Sequence, residues 1–265
     1  MKLLPTFLAL ILVSIGVSLS ISSWDIDTSN LKEIGREVYM GEGCIHCHSQ
    51  YRRPVGVDPY LWGPPVDLET ELESRKPVLF GNRRQGPDLS NAGLRRSRQW
   101  NKQHLMDPQA LRPGSRMPSY AYLFSGDDPR GDALLDYLQE LGQSGYEEWI
   151  RFVNGWTPSR SLANGSYGNG ADLYAAYCIG CHGPDGKGDG PLSPAFMPAP
   201  RNLQSMESWQ WIGSGMDFDS RRLELARLIK FGKPGTSMAG TEWLTDEQLA
   251  DLVRFVEGYS YFPGE

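Results

Sequence analysis

Cys44-Ile-His-Cys-His48 and Cys178-Ile-Gly-Cys-His182 are two copies of one pattern, and together they use every cysteine in the chain. In C-x-x-C-H the two thiols stand three residues apart, which lets them reach the two vinyl groups of one porphyrin. The His that follows lies under the ring and supplies the proximal ligand to iron. The predicted chemistry is covalent haem attachment through Cys44, Cys47 and His48, and again through Cys178, Cys181 and His182. That makes two c-type haems. Two other chemistries use paired cysteines. A single Cys₄ zinc site would leave the trailing His unexplained twice and would need pairs 134 residues apart to meet. A disulfide framework would be denser in cysteine than four in 265 residues.

An iron that only carries electrons keeps both axial positions filled, and a distal Met raises its potential relative to a second His. Met117 stands in a Pro-flanked segment (Arg-Pro-Gly-Ser-Arg-Met-Pro-Ser-Tyr) 69 residues after His48, enough chain to wrap the ring. Met40 is too close to Cys44, and Met106 falls in a helical stretch where core packing is the simpler role. Met238 repeats the Pro-Gly-x-x-Met spacing of Met117 and, like it, precedes a closing helix; Met197, Met206 and Met216 are its rivals. The expected iron ligands are therefore His48 with Met117 and His182 with Met238. His46, inside the first motif, should face solvent. His104 is expected as a hydrogen-bonding core residue, with distal ligation its rival role.

Several elements must position these groups. Apolar residues at 31, 34, 38 and 39 predict a helix over Leu31–Met40 that delivers the first motif, and Gly170–Tyr177 does the same for the second. Helices are also predicted over Ser97–Met106 and over Gly131–Leu141, the latter stopped by Gly142 as a C′ glycine. Thr245, with Gln248 three residues on, predicts a capping box at the start of the last helix. Arg52–Gly93, rich in Pro, Gly and Arg, is expected to be a long loop around a haem edge. Tyr146–Val153 is a short helix candidate in a Gly-, Asn- and Ser-rich linker expected to be flexible. Each half thus runs helix, C-x-x-C-H, loop, Met, helix, and resembles the class I cytochrome c fold.

The expectation is an all-α chain of two such domains after one N-terminal transmembrane helix. Its boundaries are 1–23 anchor, 24–145 first domain, 146–169 linker and 170–265 second domain. Leu3–Ile21 is 19 uncharged residues behind Lys2, close to the ~20 that span a bilayer. A cleaved signal peptide is the competing reading. Either way the haem domains are expected outside the cytoplasm, on the periplasmic side of a bacterial cytoplasmic membrane. A net charge of −6 without a basic stripe argues against nucleic acid as a partner.

A more specific resemblance lies in Gly35-Arg-Glu-Val-Tyr-Met-Gly-Glu-Gly-Cys-Ile-His-Cys-His-Ser-Gln-Tyr-Arg-Arg-Pro54. It continues through Arg84-Gln-Gly-Pro-Asp-Leu89, through Trp100, His104-Leu105 and Pro108, and through Gly114-Ser-Arg-Met-Pro-Ser-Tyr120. Residues 3–125 resemble the membrane-anchored monohaem subunit (subunit II) of cbb(3)-type haem–copper oxidases. The resemblance implies His48 and Met117 as axial ligands and a docking site on a catalytic subunit. It makes Arg52, Arg53, Arg83 and Arg84 candidate partners for haem propionates, since guanidinium pairs well with carboxylates, and Pro87 of the same stretch a further haem contact. Asn101 departs from the family, which usually has a second His there, and the loop from Val55 to Phe80 departs in spacing. A second domain is also not usual in that subunit.

The function expected is a redox carrier rather than a self-sufficient catalyst. It would take electrons from a soluble or membrane donor and pass them to the catalytic subunit of a respiratory haem–copper oxidase. The alternatives are an electron-transfer subunit of a nitric oxide reductase or dehydrogenase, and a dihaem peroxidase.

Overall fold

A computed structural model of the chain describes residues 31–66, 68–69, 77–210, 212 and 216–259. The expected N-terminal anchor lies outside the described residues. Among those described, no helix is long and apolar enough to cross a membrane. Structure there is helical; the β-pairing is one isolated antiparallel bridge between Gly232 and Ala239.

The first domain is built on α1 (Leu31–Gly41), α2 (Arg98–Met106) and α3 (Arg130–Glu140). On α1, Gly35, Val38 and Tyr39 make the buried face. The α1–α3 crossing is very close: a Cβ on Gly35 would lie 2.0 Å from the Ala133 carbonyl oxygen. Ser97 caps α2 by accepting from the Trp100 amide at 3.1 Å. Gly142 closes α3 in the left-handed region at φ 89°, as predicted. Val38, Tyr39, Cys44, Leu105, Leu134 and Leu138 belong to one core, on which Met117 packs.

The second domain repeats the plan with α5 (Tyr167–Tyr177), α6 (Phe218–Phe231) and α7 (Asp246–Glu257). Here α5 crosses α7 at Gly170, where a Cβ would sit 2.1 Å from the Asp251 oxygen. The Thr245–Gln248 capping box forms as predicted. The 14-residue α6 was not anticipated. Asp217 caps it, and it buries Leu225, Ala226, Ile229, Lys230 and Phe231.

The linker corrects one expectation. Tyr146–Gly155 forms helix α4, and its Trp149 is 2% exposed in a cluster with Leu94 of the first domain and Phe231 of α6. The Trp149 and Phe231 rings meet edge-on at 5.8 Å, and Trp156 meets Phe231 at 5.5 Å. Arg227 of α6 donates to the Trp156 carbonyl at 2.9 and 3.0 Å. Gly, Asn and Ser suggested a flexible tether, but two tryptophans bury enough apolar surface to pin it. The chain from Lys32 onward accordingly clusters as one unit.

Candidate functional site

In the first domain α1 runs out at Gly41, and a turn with Gly43 at φ 76° leads into a 3₁₀ turn over Cys44–His46. The His48 amide donates back to the Cys44 carbonyl at 2.9 Å, so Cys44, Cys47 and His48 are wound on one turn. His48 Nδ1 donates to the Pro87 carbonyl at 2.9 Å. That bond fixes the ring and leaves Nε2 as the unprotonated nitrogen, the form a metal ion can accept. Burial lowers the His48 pKa, keeping the imidazole neutral, the form that ligates. Gly86 lies flat on the ring: a Cβ there would be 2.2 Å from His48 Cε1. The next residue but one, Asp88, is fully buried. Its carboxylate accepts from Ser49 Oγ at 2.5 Å, the Tyr51 amide at 2.9 Å and the Ser90 amide at 2.8 Å. The chain just after His48 is thereby tied to the segment just after Pro87.

The second domain contains a cavity of about 270 Å³. Cys178, Cys181, His182 and Met238 all line it, among apolar walls that include Tyr174, Phe196 and Leu225. The α5 C-terminus feeds Cys178 into a short helical turn over Ile179–His182, and the His182 amide donates to the Cys178 carbonyl at 2.8 Å. Burial lowers the His182 pKa as it does that of His48. Trp100 and Leu111 of the first domain close part of the same cavity. Of the rival methionines, Met197 is 73% exposed and Met216 42% exposed.

The donor chemistry fits haem c and not zinc. Burial pushes the Cys44 and Cys181 thiols up to about 11 and Cys178 to about 12, whereas zinc wants thiolates. The four cysteines are free thiols, and among the described residues no three His, Cys, Asp or Glu side chains gather to hold a metal ion. The imidazole, thioether and two thiols that line the second cavity are the set a haem iron and its vinyl groups require.

The arginines sit in a network of their own. Arg84 pairs with buried Asp58 through two contacts of 2.9 Å and stacks over Trp62 at 5.0 Å. Asp58 also accepts the Arg53 amide at 2.8 Å, while the Arg53 guanidinium donates to the Phe80 carbonyl at 3.0 Å. Arg52 lies 3.9 Å from Glu148 of α4, and Arg83 is exposed. His46 is exposed and bonded to Asn82 at 3.1 Å, as expected. His104 is stacked on Trp100 at 4.6 Å, and burial first, then the nearby Arg96 and His48, lower its pKa to about 4.

Sequence reasoning missed Gly86, Asp58 and Glu242. Gly86 had a faint signal, a Gly-Pro step in the loop after the motif. Asp58 and Glu242 had none, because the arginine side chains they pair with lie far along the chain.

These features define a c-type cytochrome, a carrier of electrons on haem attached through thioethers. Residues 10–130 match the family described as cytochrome C oxidase, mono-heme subunit/FixO, and residues 167–260 match cytochrome c. The chain therefore joins a segment that matches the oxidase mono-haem subunit family to a second that matches cytochrome c. A chain of a reducing HAO-like protein complex from Kuenenia stuttgartiensis is similar at 16% identity, over 86% of this chain and 96% of that one, with a TM-score of 0.30. No curated protein matches.

Proposed function

We propose that this chain is a dihaem cytochrome that passes electrons to the catalytic subunit of a membrane haem–copper oxidase. Cys44 and Cys47 would hold the first haem and His48 and Met117 its iron; Cys178 and Cys181 would hold the second, with His182 and Met238 as axial ligands. Residues 1–23 would anchor the chain in a bacterial cytoplasmic membrane with both domains on its outer side. The observation that carries the reading is the convergence of Cys178, Cys181, His182 and Met238 on one apolar cavity. The match of residues 10–130 to an oxidase subunit family supports the choice of partner.

Bound at these sites, haem supplies one-electron exchange between ferric and ferrous iron. The chain's residues do the rest. Pro87 and Gly86 set the plane of the His48 ring. Tyr174, Phe196 and Leu225 keep water from the second cavity, which favours the less charged ferrous state. Arg52, Arg53 and Arg84 are the cations that would offset haem propionates, with Asp58 holding Arg84 in place.

Two measurements test this. Intact mass of the purified chain should show two covalent haems; one haem, or bound zinc, overturns the site assignment. Purification of the tagged chain from its own membranes should bring down a haem–copper oxidase catalytic subunit. Recovery of a nitric oxide reductase subunit or a dehydrogenase in its place would reassign the partner.

A further inference from the structure

The segment that carries Met238 is bound on both sides to the other domain. Glu242, four residues after Met238, is 2% exposed. Its carboxylate receives a bidentate fork from Arg96 of the first domain, Nη1 to Oε1 at 3.1 Å and Nη2 to Oε2 at 2.8 Å. Arg95 adds a third contact, Nη1 to Oε1 at 3.2 Å. Arg96 Nη2 also donates to the Gly240 carbonyl at 3.2 Å. On the other side of Met238, the Ser237 hydroxyl bonds that of Ser97 at 2.7 Å. Beyond Glu242, the Arg112 guanidinium lies 4.1 Å above the Trp243 ring.

The second domain holds this segment through its backbone, through the Thr241 hydroxyl, which donates to the Ile229 carbonyl at 2.9 Å, and through Tyr177, edge-on to Trp243 at 5.9 Å. The Lys233 amide donates to the Met238 carbonyl at 3.0 Å, the Thr241 amide to the Ile229 carbonyl at 3.0 Å, and Lys230 Nζ reaches the Glu242 carbonyl at 3.3 Å. They close the base of the loop. The side chains of Ser237 and Glu242 are held by the first domain, and Trp243 lies between Arg112 and Tyr177.

We propose that Arg96, gripping Glu242 and Gly240, is a positioning residue for the distal ligand Met238, so that the first domain sets the ligation of the second haem. The proposal rests on the reading of Met238 as that ligand. A buried carboxylate between two arginines contributes little net stability compared with apolar packing of the same volume, but it fixes geometry closely. A thioether is a soft, weak ligand, and whether it stays on iron depends on where its loop presents it. The fork, the Gly240 bond and the Ser97–Ser237 bond together leave that loop one seat.

The test uses the full-length, haem-loaded chain in four variants: Met238→Ala, Arg96→Gln, Arg96→Lys and Glu242→Gln. Readouts are covalent haem content by mass, the weak far-red band of Met-ligated ferric haem, carbon monoxide binding to the ferrous form, and the two potentials. Met238→Ala should abolish the band of one haem and open it fully to carbon monoxide. Arg96→Gln and Glu242→Gln should do so in part, with the second potential falling and the first unmoved. Arg96→Lys, which keeps the charge and a donor but loses the fork, should give a band between those of Arg96→Gln and the native chain. If Glu242→Gln fails to load haem, Arg96→Gln still reports, since Arg95 continues to pair Glu242. An intact band and no carbon monoxide binding in a fully loaded Arg96→Gln would overturn the positioning role. No change in Met238→Ala would instead remove Met238 as a ligand, a different failure.

Discussion

Removing a thioether from iron costs a soft ligand that favours the ferrous state. Met117→Ala and Met238→Ala should therefore each lower one haem potential and admit carbon monoxide, as redox titration and a carbon monoxide difference spectrum would show. Met197→Ala should do neither, because that side chain is 73% exposed. Gly86 offers a sharper probe of the first site. A methyl group there would fall 2.2 Å from His48 Cε1, so the ring or the loop must shift. Gly86→Ala should cost about 1–3 kcal/mol, the usual range for overpacking. Thermal unfolding would read the cost, and the first haem's spectrum should change while the second's holds. The two C-x-x-C-H motifs were legible in the sequence because their residues are local in spacing. Gly86 and Glu242 were not, since each acts on a residue that only the folded chain brings close.

Among the elements, those whose apolar residues recur at helical spacing were legible. α1, α2, α3, α5 and α7 all lie within a few residues of where periodicity put them. α6 escaped because its apolar residues serve two clusters: Leu225, Ala226 and Ile229 face the domain core, and Phe231 faces Trp149. Lys230, buried on the same helix, blurs the pattern further. In the linker, α4 lies where a helix was expected over Tyr146–Val153, but its docking escaped, since composition understates what two large rings can anchor. The capping box on α7 gives a clean test at this scale. Thr245→Ala should destabilise the chain by about 1 kcal/mol, measured by urea unfolding, with haem content unchanged.

Across the whole molecule, charge is uneven. Residues 146–265 hold 10 basic and 15 acidic side chains, and residues 24–145 hold 15 and 17. The more acidic second domain suits electron uptake from a soluble basic donor, steered by opposite charge. Steering is screened over about 8 Å at physiological ionic strength, so stopped-flow reduction by a basic donor should slow steeply as salt rises. Asp217→Asn with Asp219→Asn, two exposed acids beyond cavity-lining Ile212, should flatten that dependence. A rate indifferent to salt would move electron uptake elsewhere.

The interface between domains has its own pH signature. Burial pushes the Glu242 carboxyl up, but Arg96 and Arg95 pull it down further, and its pKa ends below the ordinary value. A lowered carboxylate stabilises the fold fully above its unfolded pKa of ~4.3 and loses that contribution as pH falls through the folded value. The gap in melting temperature between the native chain and Glu242→Gln should be constant near neutrality and close in acid below about pH 4. A gap that persists unchanged in acid would mean that Glu242 acts by shape alone.

Helix α4, wedged by Trp149 between Leu94 and Phe231, changes the kinetics open to the chain. Two separate small cytochromes exchange electrons by collision, at a rate that grows with how much of each is present. Two domains bolted at one separation exchange them at a rate set by distance and orientation, and dilution does not slow it. A cell with few copies of this chain would lose throughput only in proportion to their number, because no step inside the molecule waits for an encounter.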